Sequence, residues 1–236
     1  MTTTLTPNEN RATKSRGRWA ARHPSVRTAG AALSATLLLA ALVAGPGAPA
    51  VAAGRGDSVD PAVMQPALNP TFGPWECWRT GSGIVCDGAR SLSWTGVETG
   101  LVCDGHIVYT TGTDERTQRR FGDEAGRALS TIQHVDIRET LSLSADGTGP
   151  TLRAAGHFQE HFEYPIPGDL SSRTDTYTGL DVRVTGPGVG LVLHDVGIKT
   201  FDIDDNVLKA HGPHPIVEDF EAAFAKICDA FASLGA

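Results

Sequence analysis

Apolar and polar residues alternate with a period of two over most of the chain after Phe72, which predicts β-strands. In the clearest stretch, 152–164, the even-numbered positions are apolar or glycine, broken only by Glu160, and the odd-numbered positions are mainly polar. One or two strands are expected in 72–103, and the others are predicted over 107–120, 135–143, 152–164, 174–185, 189–203 and 207–210, which makes about eight.

Short turns separate these predicted strands. Asp146-Gly147 is a typical hairpin dipeptide, and Gly186-Pro187-Gly188 turns the chain between two later strands. Successive strands joined by short turns indicate an antiparallel meander. Because each strand is expected to present one apolar face, that face has to be covered. The sequence therefore predicts a mainly β chain whose sheet closes into a barrel or curls strongly.

Helical spacing is found at the C-terminus. Phe220, Phe224, Ile227, Phe231 and Leu234 are separated by four, three, four and three positions, so they form one apolar stripe. This pattern predicts a single α-helix over 216–234, with the stripe buried against the sheet.

The N-terminal segment has the order of a secretory signal. Six basic residues and one acidic residue lie in 1–28, an apolar run follows in 29–44, and small residues surround a cleavage site near Ala53. Residues 1–53 are thus predicted to be a signal peptide, 54–70 a flexible lead-in and 71–236 a β-barrel-like domain. The alternative is an uncleaved N-terminal membrane anchor, which the shortness of the apolar run disfavours.

Removal of the predicted signal changes the charge balance. It leaves 14 basic and 26 acidic residues on 54–236, a net charge of −12. An acidic surface repels nucleic acid, which we exclude as a partner on that ground. No transmembrane span is expected after signal removal, so the protein is predicted to be secreted or extracytoplasmic.

Four cysteines in an exported chain predict two disulfide bonds. A two-residue turn at Gly81-Ser82 places Cys77 opposite Cys86 in a pair without backbone hydrogen bonds, at a separation that a disulfide accepts. Cys103 then pairs with Cys228 in the final helix. The alternative joins Cys86 to Cys103 and Cys77 to Cys228, because the segments around Cys86 and Cys103 repeat one another.

Candidate chemistry is sparse. The segment from His157 to His161 matches the zinc-protease pattern H-x-x-E-H, but that chemistry needs a helix. On a strand the two histidines lie about 14 Å apart, and Glu160 points away from both. We therefore predict neither a metal nor a cofactor. The weak candidate polar cluster consists of His157, Gln159, His161 and His194.

Several turn motifs in 101–236 look like those of a set of small secreted actinobacterial proteins of unassigned function. That family implies a β-rich fold and no activity, and Gly122 stands where similar sequences have Tyr. Gly73-Pro74-Trp75 resembles the Gly-x-Trp that opens the first strand of lipocalins, an architectural likeness only. The turn motifs are Cys103-Asp104-Gly105, Arg120-Phe121-Gly122-Asp123, Thr178-Gly179-Leu180-Asp181-Val182, Asp195-Val196-Gly197, 201–208 and Gly212-Pro213-His214.

These features favour a non-enzymatic exported binding module for an apolar small ligand or a macromolecular partner. A secreted metal-dependent or hydrolytic enzyme that uses the histidines is the first alternative. A structural protein of the cell envelope or the extracellular space is the second.

Overall fold

The computed structural model describes residues 56–235, so the predicted signal segment and its membrane-anchor alternative lie outside the described residues. Eight strands precede two helices in this part of the chain, which confirms the prediction of a mainly β protein of about eight strands. The bounds are β1 Glu76–Thr80, β2 Gly83–Cys103, β3 His106–Gly122, β4 Ala128–Ser142, β5 Thr151–Glu163, β6 Thr174–Gly186, β7 Gly190–Phe201, β8 Val207–His211, α1 Pro215–Glu218 and α2 Phe220–Ser233.

The strands form one antiparallel sheet in the order β1 to β8, so the predicted meander is confirmed. The predicted closure into a barrel is wrong, because β1 and β8 do not pair with each other within residues 56–235. The outer edge of β1 is occupied instead: Arg79 N donates to Asp57 O at 2.9 Å, and Val59 N donates to Cys77 O at 3.0 Å. β8 has only five residues, and all of them are exposed.

The alternation expected for 152–164 is present in β5. Leu152, Ala154 and Phe158 are buried, whereas Arg153 and His157 are exposed. Strand pairing places the buried residues of neighbouring strands side by side, for example Leu141 opposite Leu152. We call the side of the sheet that carries these residues the buried face and the other side the exposed face.

The buried face is far more polar than the sequence predicts. Gln118, Gln133, Glu160, Tyr177 and Lys199 lie directly opposite one another on β3 to β7. All but Tyr177 are at most 8% exposed. The expectation of one apolar face per strand is therefore wrong for this part of the sheet. Partners accompany the burial of several of these groups: Gln133 donates to Glu160, and Lys199 contacts two carboxylates.

The C-terminal helix is split in two at Asp219, which has extended backbone angles and accepts a hydrogen bond from Ala222 N at 3.0 Å. An N-cap residue therefore starts α2 where the apolar stripe alone predicts one continuous helix over 216–234. Phe224, Ile227 and Phe231 are buried as predicted, but Phe220 at the start of α2 is 40% exposed.

α2 contacts both β2 and β7, although four strands separate them in the sheet. None of the helices in residues 56–235 has both the length and the apolar character that crossing a bilayer requires.

Both preferred cysteine pairs are present. Cys77 faces Cys86 across the β1–β2 hairpin with Cα atoms 4.1 Å apart, in the register that a turn at Gly81-Ser82 predicts. Cys103, at the end of β2, joins Cys228 in α2 with Cα atoms 5.1 Å apart. The alternative pairing is thereby excluded, and the second bond fixes α2 to the end of β2.

Residues 56–70, which were expected to belong to a flexible lead-in, contact the rest of the chain. A short 3-10 turn at Pro61–Val63 precedes Met64, which is 1% exposed and packs in a cluster with Cys77, Ile84 and Cys86. Gln65 N donates to Gly126 O at 2.9 Å. This stretch therefore covers one end of the β1–β3 region.

Candidate functional site

The predicted polar cluster lies on the exposed face. His157, Gln159 and His161 follow one another along β5, and strand geometry separates the two histidines by about 14 Å. His194 lies two strands away on β7, opposite Arg183. Residues 157–161 lie in a strand with Glu160 on the buried face, as predicted, so the H-x-x-E-H match lacks helical geometry. No group of three or more His, Cys, Asp or Glu residues in 56–235 could hold a metal ion.

His157 contacts one acidic residue. Its Nδ1 lies 3.5 Å from Asp136 Oδ2, and its side chain is 78% exposed. The pair lines a shallow groove of about 460 Å³ together with His134 and Glu115. At this exposure the contact between His157 and Asp136 is weak. No other member of the predicted cluster lines this groove.

A second groove of about 440 Å³ crosses the exposed face from β3 to β6. The residues that line it include no aromatic side chain. Hydroxyl and guanidinium groups dominate it: four threonines and the arginines Arg138, Arg153 and Arg183 line it, together with one carboxylate residue, Glu139. We call this feature the arginine groove.

Strand register explains how the three arginines meet. Arg138 and Arg183 both pair with Ala155, one from each side, and Arg153 pairs with Thr185. Arg153 and Arg183 are therefore diagonal neighbours on adjacent strands, a position at which long side chains reach one another.

The charges in the arginine groove are unevenly compensated. Arg138 donates to Asp136 on its own strand, at 3.0 Å from Nε and 3.3 Å from Nη2. Arg153 and Arg183 are exposed and have no hydrogen bond or ion pair with any residue that the structure describes. Two adjacent cations without a counter-charge repel each other, and an anion between them removes that cost.

The buried face holds a charged cluster of a different kind. Asp114, 1% exposed, accepts from Arg116 Nε at 2.7 and 2.9 Å and from Arg90 Nη2 at 3.1 Å. Arg116 Nη1 lies 3.8 Å from Glu160 Oε1, and Gln133 Nε2 donates to Glu160 Oε2 at 2.5 Å. Burial holds the pKa of Arg90 below its usual range.

A further acidic group lies at the edge of this cluster. Thr110 Oγ1 donates to Glu139 Oε1 at 3.0 Å, and Trp94 Nε1 donates to Thr110 Oγ1 at 3.4 Å. Burial raises the pKa of the Glu139 carboxyl above its ordinary value. Within residues 56–235, Glu139 is held by this short chain of hydrogen bonds and forms no ion pair.

Another buried group surrounds Asp195, which is fully buried on β7. His214 Nδ1 lies 2.8 Å from Asp195 Oδ1, and His214 Nε2 lies 3.0 Å from the carbonyl oxygen of His211. Both ring nitrogens of His214 are thus engaged, which leaves neither of them to act as a general base on a substrate. The Asp195–His214 hydrogen bond is of the kind found in hydrolase active sites, but His214 has no free ring nitrogen for a substrate.

Comparison with protein-family models, with curated proteins and with solved structures finds no match for this chain. Sequence reasoning missed the arginine groove, although it placed Arg138 and Arg153 on polar strand faces. The signal that could have found them is strand register, which brings the three arginines together from β4, β5 and β6.

Proposed function

We propose that the protein is an exported, non-enzymatic binding module that takes an anionic macromolecule on the exposed face of its sheet. The observation that carries the proposal is the pair Arg153 and Arg183, adjacent, exposed and without a described counter-charge. Export is supported by the signal-like order of 1–53 and by two disulfide bonds.

The polar character of the buried face favours a macromolecular partner over an apolar small ligand. Glu160 and Lys199, both at most 5% exposed, stand in the middle of the face that would have to enclose such a ligand. Displacing or desolvating these charges costs several kcal/mol, on the order of what an apolar ligand gains from burial.

An acidic polysaccharide is the partner class that the lining favours. Guanidinium groups bind carboxylate, sulfate and phosphate through paired hydrogen bonds, and threonine hydroxyls complement sugar hydroxyls. Binding of single-stranded nucleic acid relies on aromatic side chains that stack on bases, and none lines the arginine groove. The net charge of −12 on 54–236 also repels a long polyanion except at such a local cationic site.

Calorimetry with dextran sulfate, and with neutral dextran of the same length, tests the proposal. Replacing Arg153 and Arg183 together by serine should weaken binding of dextran sulfate about tenfold or more at low salt, since two charged contacts of about 1 kcal/mol each are lost. The matched control replaces Arg119 and Arg127, which are exposed but ion-paired with Asp87 and Asp123.

The control variant has the same net charge as the groove variant, so it separates a site from general attraction. We expect it to bind dextran sulfate within about threefold of the unmodified protein. Equal weakening of both variants would contradict a localised site. Tighter binding of a single-stranded oligonucleotide than of dextran sulfate would show that the partner class is wrong.

A further inference from the structure

The amine of Lys199 lies between two carboxylates on the buried face. Its Nζ contacts Asp181 Oδ2 directly and lies 3.2 Å from Asp195 Oδ1. The side chain of Lys199 is 6% exposed and that of Asp195 is fully buried, while that of Asp181 is 28% exposed. Asp195 Oδ2 accepts no hydrogen bond from any described residue.

Asp181 lies in a β-bulge of β6. Leu180 pairs with Val196 and Val182 pairs with Asp195, so Asp181 is the extra residue between two pairs. An extra residue breaks the alternation of a strand and redirects its side chain.

Aromatic rings adjoin the contact. Tyr177 lies directly opposite Lys199, and its ring centroid is 5.9 Å from that of Phe158 and 5.7 Å from that of Phe201. Burial beside these rings disfavours separated charges and favours their conversion into a neutral product.

We propose that Lys199 and Asp181 join in an isopeptide bond, with Asp195 as the catalytic group that transfers the proton. One proton first passes from the Lys199 ammonium to the Asp181 oxygen that it contacts, which leaves an amine and a neutral carboxyl group. The Nζ lone pair then attacks Cγ of Asp181, the new N–C bond forms, and the C–O bond to the protonated oxygen breaks. Asp195 Oδ1 takes a proton from Nζ and returns it to the departing oxygen. An ammonium and a carboxylate thus become one secondary amide and one water, with no oxidant or other co-reactant.

The geometry suits each part of this condensation. The nucleophile and the carboxyl group are already in contact, which removes most of the entropic cost of bringing them together. The general base lies within hydrogen-bond reach of the proton that it abstracts. The partial exposure of Asp181 gives the released water a route to solvent. The bond would cross-link β6 to β7 and is independent of the proposed anion binding.

Peptide mapping of the full chain tests for the bond between Lys199 and Asp181. The protein is purified, reduced, unfolded in urea and digested with trypsin, and the products are identified by mass spectrometry. Without the bond, residues 174–183 and 184–199 are recovered as two linear peptides. With the bond, trypsin does not cleave after Lys199, so 174–183 is attached to 184–209, and the mass is lower than the sum of the two peptides by one water.

Recovery of the branched species supports the proposal, and recovery of the linear peptides alone overturns it. The result for the unmodified protein does not depend on any variant being stable. Lys199→Arg is the negative control, since it keeps the positive charge but has no amine to form the bond. Asp195→Ala should abolish the branched species in folded protein, and undiminished branching in this variant would overturn the role of Asp195.

Discussion

Asp114 is the carboxylate that holds two buried arginines, and Asp114→Asn removes its charge with almost no change in shape. The side chain accepts three hydrogen bonds of 2.7 to 3.1 Å from Arg116 and Arg90. Arg116 is 8% exposed and the Arg90 side chain 18% exposed, so neither guanidinium regains full hydration when the charge is lost.

The size of the effect follows from this burial. Breaking a buried ion pair by removing one partner costs about 3–5 kcal/mol, because the remaining charge is left uncompensated. Since Arg90 keeps some access to water, we expect a loss near the lower end, about 3 kcal/mol. The matched control is Asp87→Asn: Arg119 and Asp87 also form two hydrogen bonds, at 2.7 and 2.8 Å, but their side chains are 52% and 27% exposed. Exposed pairs contribute about 1 kcal/mol or less.

Urea denaturation of the two variants measures the difference. With a dependence on urea of about 2 kcal/mol per molar, Asp114→Asn should lower the midpoint by about 1.5 M and Asp87→Asn by less than about 0.5 M. If Asp114→Asn changes the free energy of unfolding by no more than Asp87→Asn does, the buried cluster does not depend on the Asp114 charge and the reasoning is refuted.

The remaining predictions also concern stability and are measured by the same urea denaturation. Phe224→Ala should cost about 3–5 kcal/mol because this ring is 7% exposed, whereas Phe220→Ala, at 40% exposure, should cost about 1 kcal/mol or less. Glu139→Gln should raise the free energy of unfolding at neutral pH: burial raises the folded pKa, so stability falls as pH rises through it, and the advantage disappears as pH falls to about 4.3. Replacing Cys103 and Cys228 by serine should cost about 4–5 kcal/mol, since the bond spans 125 residues.

Each of these predictions has an outcome that contradicts it. Equal losses for the two phenylalanine variants would show that α2 is not docked through Phe224. A Glu139→Gln difference that stays constant between about pH 4 and 7 would mean that the carboxyl charge is not its cause. A loss below about 1 kcal/mol for the cysteine variant would show that the unfolded chain is not restrained by the bond.

Local features of the sequence were enough to predict part of this structure. Counting outward from Gly81-Ser82 places Cys77 opposite Cys86, and the structure has that register. The same counting from Asp146-Gly147 would have placed Arg138 opposite Ala155, as observed. In both hairpins the centre of the turn determines the pairing, because side chains alternate regularly on either side of it.

The arginine groove needs information that is not local. β5 and β6 are joined by ten residues with a 3-10 turn at Leu170–Ser172, so no turn centre gives their register. A register shift between Ala155 and His157 then changes the pairing, and it is this shift that brings Arg183 opposite Ala155. A bulge of this kind depends on contacts across several strands and has no signature in period-two alternation.

The polar character of the buried face could not be predicted from the sequence for a related reason. Over 114–120, β3 has polar residues on both faces, so alternation could not say which of them is buried. Asp114, Arg116 and Glu160 are acceptable inside because they pair with one another and with Arg90 on β2 and Gln133 on β4. Charged residues of the same types form ion pairs on the buried face, whereas Arg153 and Arg183 on the exposed face have no described partner. The register of the whole sheet produces this difference.

The central claim is that an anionic partner binds in the arginine groove, and the most direct test is to map the contact residue by residue. Isotopically labelled protein is titrated with a short dextran sulfate, and backbone amide shifts are followed by NMR. If the partner binds in the arginine groove, saturable shifts should concentrate on the exposed face around Arg138, Arg153 and Arg183. Shifts confined to other surfaces, or no saturable shifts in low-salt buffer, would contradict it.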